Sequence, residues 1–444
     1  MDNNPNQPEI DRFWELIDAG ENIFLTGGGG VGKTYLTLEL IERNPERIAV
    51  TASTGIAACA IGGMTVHAWS GMGLGPGLIE SDADYYVKLY RNFGPVLAKA
   101  ARRMGNKSML VIDEISMLSG RAFNYLDYHL RQMYGVDRPF GGLQLVVVGD
   151  FLQLPPVRKG RDSVSDWAFN SRAWKDAKFN MVELKEVIRQ KDREFAAMLN
   201  EMRFGNLNAI GAMKLQERVM EAPDPSVTRI MTKNVDVDIW NDKQLSTIEG
   251  EYRTYTATLG GCESQQKKLL DSLLCPTNLT LKVGAKVMAV VNNTREGYYN
   301  GLVGYVTKMY QASVDVKFDN GMECTVNTYE WKYDPDDPKT ATCLQLPLKL
   351  AWAITAHKSQ GCTLDKAHVN ISNTFEYGQA YVALSRCTSL EGLTLASFNA
   401  KAIKSAPEAI EFYKHPNRYV NPGDPEKLLK EEDRRLLGGT VDDF

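Results

Sequence analysis

The chain has 444 residues with a formal net charge of −4, and 43% of its residues are hydrophobic and 24% charged. This length allows two or three domains with cores of their own, and the near-neutral charge does not by itself indicate nucleic-acid binding. The absence of a membrane-length apolar run and the seven scattered cysteines without a Cys-x-x-Cys pair disfavour a membrane partner, a disulfide framework and a zinc module, so the default compartment is the cytoplasm.

The first predicted elements are a strand, a glycine-rich loop and a helix. Apolar spacing predicts a first helix at 10–19, a buried strand at 22–26 and a helix at 35–43. Between the strand and the second helix, residues 27–34 follow the spacing Gly-x-x-x-x-Gly-Lys-Thr. Backbone N–H groups of such a loop, its lysine and its threonine can hold phosphates and Mg²⁺, although a plain glycine turn is the alternative. The predicted nucleotide site comprises Gly28, Gly29, Gly30, Val31, Gly32, Lys33, Thr34 and Tyr35.

Acidic residues follow a later strand. Apolar runs predict buried strands at 109–112 and 143–148, and the first of them ends in Asp113 and Glu114. Strands that alternate with helices indicate a parallel sheet, whose ligands lie at the carboxyl ends of its strands. We therefore expect Asp113 to hold Mg²⁺ through water and Glu114 to accept the proton of an attacking water. The alternative is that these acids cap the next helix.

The rest of the chain predicts an insertion, a second α/β series and a small barrel. Glycines at its start and basic residues at its end mark residues 70–107 as an excursion from the first sheet. Helical residues at 190–226 lead to a second α/β series that starts near 228–231. Short strands and hairpin-type turns within 281–331 predict an antiparallel barrel inserted in that series. A closing helix at 401–414 is expected before a mobile, charged tail.

Seven sequence blocks, taken in order, resemble one protein family. The set resembles a superfamily-one DNA helicase of the PIF-one family, which is related to the RecD type. A phosphate loop alone is common, whereas the ordered set is specific, and residues 116–142 also resemble the family's own signature. The resemblance covers about residues 20–400 and rests on 27–34, 51–58 with 65–67, 112–117, 149–157, 183–184 with 188–190, 355–365 and 381–388.

The resemblance implies an α/β fold of two RecA-like parallel-sheet domains, with ATP between them and an SH3-like barrel inserted in the second. It also implies an ATP-dependent DNA helicase that moves 5′ to 3′ on single-stranded DNA and opens duplexes at junctions in replication, repair, recombination or telomere maintenance. The expected working unit is a monomer. On the predicted elements, the domain limits are 1–190 for the first domain with its insertion at 70–107, 191–280 and 341–414 for the second, 281–340 for the barrel and 415–444 for the tail.

By the same resemblance, Gln153 senses the γ-phosphate, and Arg189 and Arg386 reach it from the second half as arginine fingers. A planar guanidinium can meet two of the oxygens on which charge builds, while a surface ion pair is the alternative for a lone arginine. Lys33 and Glu114 complete the expected catalytic set.

The resemblance also implies a set of residues near single-stranded DNA. Hydroxyls and imidazoles can bond phosphates, and an aromatic ring can stack on a base. Thr65 could instead cap a helix, and Phe151 could belong to the core. The set is Thr65, His67, Phe151, Thr355, His357 and Ser359.

The nucleotide preference and two other protein classes stay open. Ile10 stands where the family often has a glutamine that reads adenine, and Gln7 lies one turn earlier, so strictness for ATP is not predicted. A phosphate-loop kinase would have one α/β core and a lid, and the blocks at 346–400 with Arg386 argue against it. A GTPase switch would need an Asn-Lys-x-Asp base reader, which residues 232–235 do not provide.

Overall fold

The structure is a computed structural model. Its description covers part of the chain, and the predicted tail at 415–444 lies outside that part from residue 421 onward. Within the described ranges, no helix has the length and apolar character needed to cross a membrane. The described residues are 4–420 apart from 74, 77–79, 157–165, 191, 222–223, 225–226, 232–233, 274, 294–295, 335–336, 357–358, 360–361, 372–373 and 375.

Strands and helices alternate through the first 231 residues, and most of the later strands lie between two segments of a second parallel sheet. In chain order, the strands are β1 (Ile23–Gly27), β2 (Ile48–Ala52), β3 (Met64–Thr65), β4 (Met109–Asp113), β5 (Gln144–Val148), β6 (Asn180–Leu184), β7 (Thr228–Met231), β8 (Arg253–Thr256), β9 (Thr258–Gly260), β10 (Asn278–Leu281), β11 (Lys286–Ala289), β12 (Val303–Met309), β13 (Ser313–Phe318), β14 (Glu323–Asn327), β15 (Tyr329–Lys332), β16 (Thr342–Gln345), β17 (Leu348–Leu350), β18 (Ala353–Thr355), β19 (Ala367–Asn370) and β20 (Leu393–Ser397). The helices are α1 (Gln7–Asp18), α2 (Lys33–Arg43), α3 (Gly55–Ala60), α4 (Val66–Ser70), α5 (Asp82–Met104), α6 (Gly120–Tyr134), α7 (Arg172–Ala177), α8 (Arg193–Arg203), α9 (Ala209–Glu217), α10 (Asn234–Thr247), α11 (Glu263–Ser272), α12 (Gln379–Leu384) and α13 (Pro407–Lys414).

The first sheet has the strand order β3-β2-β4-β5-β1-β6, and its pairs are parallel. β1 and β4 are buried along their whole length, as expected for central strands covered on both faces. The strands predicted at 22–26, 109–112 and 143–148 are confirmed to within one residue at either end. The parallel order brings the carboxyl ends of β1, β4 and β5 to one edge of the sheet, where the candidate site lies.

The excursion predicted at 70–107 consists mainly of the long helix α5. Ser81 accepts a hydrogen bond from the backbone N–H of Asp84 and so caps the start of this helix. Non-helical backbone angles at Phe93 mark a kink two residues before Pro95, whose ring cannot fit a straight helix interior.

The second parallel sheet has the order β18-β7-β19-β20. The strand predicted at 228–231 is confirmed as β7, and the helical stretch predicted at 190–226 consists of α8 and α9. α8 packs against this sheet, because Phe195, Leu199 and Met202 share a buried cluster with Ile230 of β7. We call the buried clusters of the two parallel sheets the first core and the second core.

Antiparallel sheets occupy the chain between β7 and β18. The largest has the order β14-β13-β12-β11-β17, beside a three-stranded sheet β15-β16-β9 and a ribbon β8-β10. These strands extend from Arg253 to Leu350, so the predicted barrel limits of 281 and 340 do not match the limits of the antiparallel sheets. β8 and β9 were missed because they are short and mostly exposed, which leaves little apolar alternation to detect. The SH3-like class of the insertion stays a prediction.

Helix α13 returns to the first core. Ala409 and Phe412 are fully buried there, and the Phe412 ring lies 5.8 Å from Phe24 and 5.2 Å from Phe151 between centroids. The predicted second domain runs to 414, whereas α13 at its end packs against the first core, and the domain limits stay a prediction. Apolar spacing within a helix shows which face is buried but not the surface against which that face packs.

Candidate active site

The phosphate loop, residues 27–34, runs from the end of β1 into the start of α2. Gly27 has a φ of 138°, and a Cβ there would lie 2.2 Å from the carbonyl oxygen of Leu184, so a glycine is required. Because α2 begins at Lys33, its first backbone N–H groups are available to an anion beside the loop. Lys33 Nζ donates to the carbonyl oxygens of Gly27 at 2.7 Å and Gly28 at 2.8 Å. The lysine ammonium thus lies inside the curve of the loop.

Asp113 and Glu114 stand at the carboxyl end of β4, in the wall of the same cleft. The backbone of Glu114 has a φ of 53°, which is uncommon for a residue with a side chain. Its carbonyl accepts from Ser53 Oγ at 2.7 Å, and its N–H donates to Asp113 Oδ1 at 2.8 Å. Burial raises the pKa of Asp113 to about 6, and burial together with the Asp113 charge raises the pKa of Glu114 to about 7. A carboxylate with a pKa near neutrality is suited to proton transfer.

The cleft beside the phosphate loop has a volume of about 790 Å³. Ile10 of α1 lies in its wall, whereas Gln7 donates to Asp11 Oδ1 at 2.7 Å within its own helix, so the cleft presents an apolar group where the family often has an amide. Asn292 and Asn300 line it from the antiparallel region. The predicted site residues in the wall are Gly30, Val31, Gly32, Lys33, Thr34, Tyr35, Asp113, Glu114 and Arg189.

Arg386 reaches the phosphate loop from the second half of the chain. It follows α12, and its side chain is 2% exposed. Nε donates to the carbonyl oxygen of Val382 at 2.8 Å and Nη2 to Ser385 Oγ at 2.9 Å, so these hydrogen bonds go to neutral acceptors. A Cβ on Gly29 would lie 3.2 Å from Arg386 Nη2, which places the guanidinium directly against the loop. Such a cation would be stabilised by an anion bound at the loop.

Arg189 lies beside the loop, shortly after β6 of the first sheet, rather than in the second half of the chain. Its backbone N–H donates to the carbonyl of Gly30 at 3.1 Å, and its Nε donates to Thr363 Oγ1 at 3.0 Å. Burial and the charge of Arg386 lower the pKa of Arg189 to about 9, and burial also lowers the pKa of Arg386. Two cations that repel each other beside a phosphate loop favour a ligand with several negative charges.

Gln153 lies just beyond β5, in a buried position. Its Nε2 donates to Asp150 Oδ2 at 3.2 Å. The same aspartate is bound by both arms of Arg203, with Nε 3.0 Å from Oδ2 and Nη2 3.1 Å from Oδ1. The structure thus brings Gln153, the phosphate loop and both predicted arginines to the interface between the two cores.

Sequence reasoning missed two residues at this interface. The Tyr381 hydroxyl accepts from the backbone N–H of Gly29 at 2.8 Å, and Arg203 holds Asp150. Tyr381 opens the last block of the family resemblance, so that block could have pointed to it. Arg203 lies outside every block and appears in the sequence only as a basic residue at a helix end.

The predicted DNA-contact residues differ in their exposure and in their position in the fold. The Thr65 side chain accepts from the backbone N–H of Ala68 at 3.2 Å, so it caps α4, which was the alternative prediction. His67 lies in the same short helix and is partly exposed, and burial lowers the pKa of its imidazole.

Phe151 is fully buried among aromatic rings of the first core. Its centroid lies 5.3 Å from that of Phe24, 4.8 Å from Phe169 and 5.6 Å from Trp174. Because no face of the ring is free for a base, the prediction that Phe151 stacks on DNA conflicts with this structure, and the core alternative fits it.

Thr355 ends β18 and is buried, and Ser359 is fully buried with its Oγ donating to the carbonyl of Ala356 at 2.7 Å. Neither hydroxyl faces solvent here. His357 lies outside the described residues.

Comparison with known proteins decides the family. A family model described as PIF1-like helicase matches residues 10–212. The ATP-dependent DNA helicase Pif1 of Psychrobacter sp. (strain PRwf-1) is 37% identical, over 89% of this chain and 68% of that protein. The chain belongs to the PIF1-like helicase family. It spans about two thirds of the length of the curated PIF1 relatives it matches, at 68%, 66% and 62% of three of them.

Solved PIF1 structures share the fold. Pif1 of Bacteroides sp in complex with ADP-AlF4 matches with a TM-score of 0.79 and 34% identity, over 93% of this chain and 97% of that one. Bacteroides Pif1 bound to single-stranded DNA matches with a TM-score of 0.63 and 34% identity, over 92% and 96%. The predicted α/β fold with RecA-like parallel sheets is therefore confirmed for this PIF1-like chain.

Proposed function

We propose that the chain hydrolyses ATP to move 5′ to 3′ along single-stranded DNA and to open duplex DNA. One observation carries this proposal: the phosphate loop of the first core lies against Arg386 of the second core across one interface, with Glu114 and Arg189 beside the loop. A nucleotide held there touches both halves, so its binding and hydrolysis can alter how the halves sit. Membership in a family of ATP-dependent DNA helicases supports the same activity.

The nucleotide is held by the loop N–H groups and by Lys33. Thr34 and Asp113 fit Mg²⁺, because hydroxyl and carboxylate oxygens are ligands it prefers. Within the described ranges no group of three or more His, Cys, Asp or Glu could hold a metal, so phosphate oxygens and water would supply the remaining ligands. When bound, Mg²⁺ neutralises charge on the β- and γ-phosphates.

Glu114 is proposed as the general base. Its carboxylate takes a proton from water as the water oxygen attacks the γ-phosphorus and the bond to the bridging oxygen breaks, leaving ADP and phosphate. Gln153, Arg189 and Arg386 act on the γ-phosphoryl oxygens, where charge spreads in the transition state. Buried cations are effective here because the surrounding protein screens them weakly.

Single-stranded DNA is the proposed track. Thr65 and His67, both partly exposed, are proposed phosphate contacts, whereas Thr355 and Ser359 would need a rearrangement before their hydroxyls could reach DNA. His357 stays a prediction, and Phe151 no longer belongs to the set. One chain supplies both walls of the cleft, so we propose the monomer as the working unit. A solved structure describes two coordinating Pif1 helicases at forked duplex DNA for another member of the family.

The deciding experiment measures ATPase rate with and without single-stranded DNA, and then unwinding of two partial duplexes that differ only in tail polarity. We expect strong stimulation by DNA and unwinding of the 5′-tailed duplex. A rate indifferent to DNA would favour a kinase or a nucleotide switch. Unwinding of the 3′-tailed duplex alone would contradict the proposed direction.

A further inference from the structure

Arg203 belongs to a helix that packs in the second core. It is the last residue of α8, whose Phe195, Leu199 and Met202 are buried in the second core. Ser405 Oγ donates to its carbonyl oxygen at 2.6 Å. The backbone of Arg203 must therefore move with the second core.

Its side chain contacts acidic residues of the first parallel sheet. Nε and Nη2 grip the two carboxylate oxygens of Asp150, while Nη1 lies 3.3 Å from Glu183 Oε1 at the end of β6. The guanidinium carbon is 4.8 Å from the ring centroid of Tyr413, and the side chain is 4% exposed. A two-pronged, desolvated contact of this kind fixes geometry, because a planar fork allows one arrangement of the carboxylate.

Asp150 connects Arg203 to Gln153 of the nucleotide site. Its Oδ2 accepts both from Arg203 Nε and from Gln153 Nε2. A glutamine amide has a second N–H and a carbonyl oxygen, groups that can bond a phosphate or water. Burial alone would raise the pKa of Asp150, but the charge and hydrogen bonds of Arg203, the charge of Lys33 and the Leu152 N–H together lower the pKa below its usual range. Asp150 in turn attracts the buried ammonium of Lys33.

We propose that Arg203 is a positioning residue that holds Asp150, and through it the Gln153 amide, in a geometry set by the second core. Turnover then depends on Arg203, whereas nucleotide binding does not. The inference rests on the proposed function, in which Gln153 acts on the γ-phosphate. It explains why a third guanidinium is buried at this interface and is bound to a carboxylate, whereas Arg386 is bound to neutral acceptors.

The test compares Arg203→Gln with Arg131→Gln. Arg131 is a matched control because its Nε lies 3.0 Å from both oxygens of the buried Asp127, within α6 of the first core. Affinity is measured with a fluorescent ATP analogue, and kcat and KM with saturating single-stranded DNA. For Arg203→Gln we expect kcat to fall about tenfold or more with affinity within about twofold, the pattern of an interaction needed after binding. Arg131→Gln should leave both unchanged.

A pH series separates positioning from a general loss of structure. Without Arg203, burial of Asp150 is opposed only by the Lys33 charge and the Leu152 N–H, so the pKa of Asp150 rises and its carboxylate is protonated at a higher pH than in the unchanged protein. The residual rate of Arg203→Gln should therefore climb more steeply between pH 6 and 9 than that of the unchanged protein. Arg203→Lys keeps the charge without the fork and should give an intermediate kcat, which preserves the test if the glutamine variant fails to fold.

The outcomes are distinct. A normal kcat in Arg203→Gln would overturn the inference. If only Arg203→Lys folds, a normal kcat in that variant would overturn it instead. Equal losses of affinity and kcat in the variant tested would also overturn it. Gln153→Ala is measured in parallel. A loss of kcat there but not at Arg203 contradicts only the inference, whereas an ATPase that ignores DNA in the unchanged protein contradicts the proposed function itself.

Discussion

The two walls of the cleft carry opposite kinds of buried charge. On the first-core wall, burial raises the pKa values of Asp113 and Glu114. Also beside the loop, burial lowers the pKa values of Arg189, which follows β6, and of Arg386, which reaches the loop from the second core. In both cases the protein interior disfavours the charged form, which a bound ligand of complementary charge can restore.

The difference suggests a division of labour. The first wall has the loop, Lys33 and a base, which are sufficient to bind a nucleotide and to activate water. The second core adds Arg386, which approaches the loop at Gly29 and can act only when the two cores are together. Substitutions on the first wall should therefore affect binding or proton transfer, and substitutions on the second should affect turnover alone.

Lys33→Ala should have the largest effect. Without the ammonium, the β- and γ-phosphates lose their direct cationic partner, so we expect hydrolysis to vanish and nucleotide affinity to fall. Isothermal titration with a non-hydrolysable analogue and an ATPase assay measure the two losses. Lys88→Ala, at an exposed position of α5, serves as a control that should change neither. Unaltered affinity in Lys33→Ala would contradict the binding role of this wall.

Arg386→Ala should keep nucleotide affinity while turnover falls about 10³-fold or more, the scale of removing an arginine finger. In the proposed role, the guanidinium would meet the γ-phosphoryl group most strongly in the transition state, so the ground state would lose little. Single-turnover hydrolysis with DNA present gives the rate. If affinity and rate fell by the same factor, Arg386 would contribute only ground-state binding.

Glu114→Gln should bind ATP but turn over far more slowly, because an amide cannot accept the proton. A decrease of 10²-fold or more is expected for loss of a general base. A matched variant, Glu183→Gln, removes a carboxylate that contacts Arg203 rather than the loop acids and should retain more activity. Near-normal turnover in Glu114→Gln would rule out its role as base.

The pH dependence of the unchanged protein should show a smaller effect of the same residue. Because the pKa of Glu114 is raised to about 7, its carboxyl is protonated below that pH and cannot accept a proton. We expect kcat/KM to rise with pH through one ionisation near 7 and to decline about tenfold per pH unit well below it. Steady-state assays from pH 5.5 to 9 give the profile. A flat profile would mean that another group, or the nucleotide itself, takes the proton.

The local parts of this site could be predicted from the sequence. The phosphate loop and the pair Asp113 and Glu114 are each defined by neighbours within one strand–loop unit, so spacing alone places them. Arg386 was placed by resemblance, since nothing in its own surroundings shows that it reaches Gly29.

Other features depend on which surfaces meet across the fold. Phe151 was predicted as a base-stacking residue because a sequence cannot show that Phe412 returns from the far end of the chain to pack against it. Arg203 was missed for the same reason: its partner Asp150 lies 53 positions away along the chain and in the other half of the interface. Contacts of this kind are fixed by tertiary packing rather than by local pattern.

The return of α13 also sets the order in which the protein can be completed during synthesis. The aromatic cluster around Phe24 includes Phe412, so this part of the first core stays open until residue 412 has been made. The intervening segment, with the second core and the antiparallel sheets, must be translated while that apolar surface is still exposed. Premature termination before residue 407 would thus leave a defective first core, even though every residue of the phosphate loop would be present.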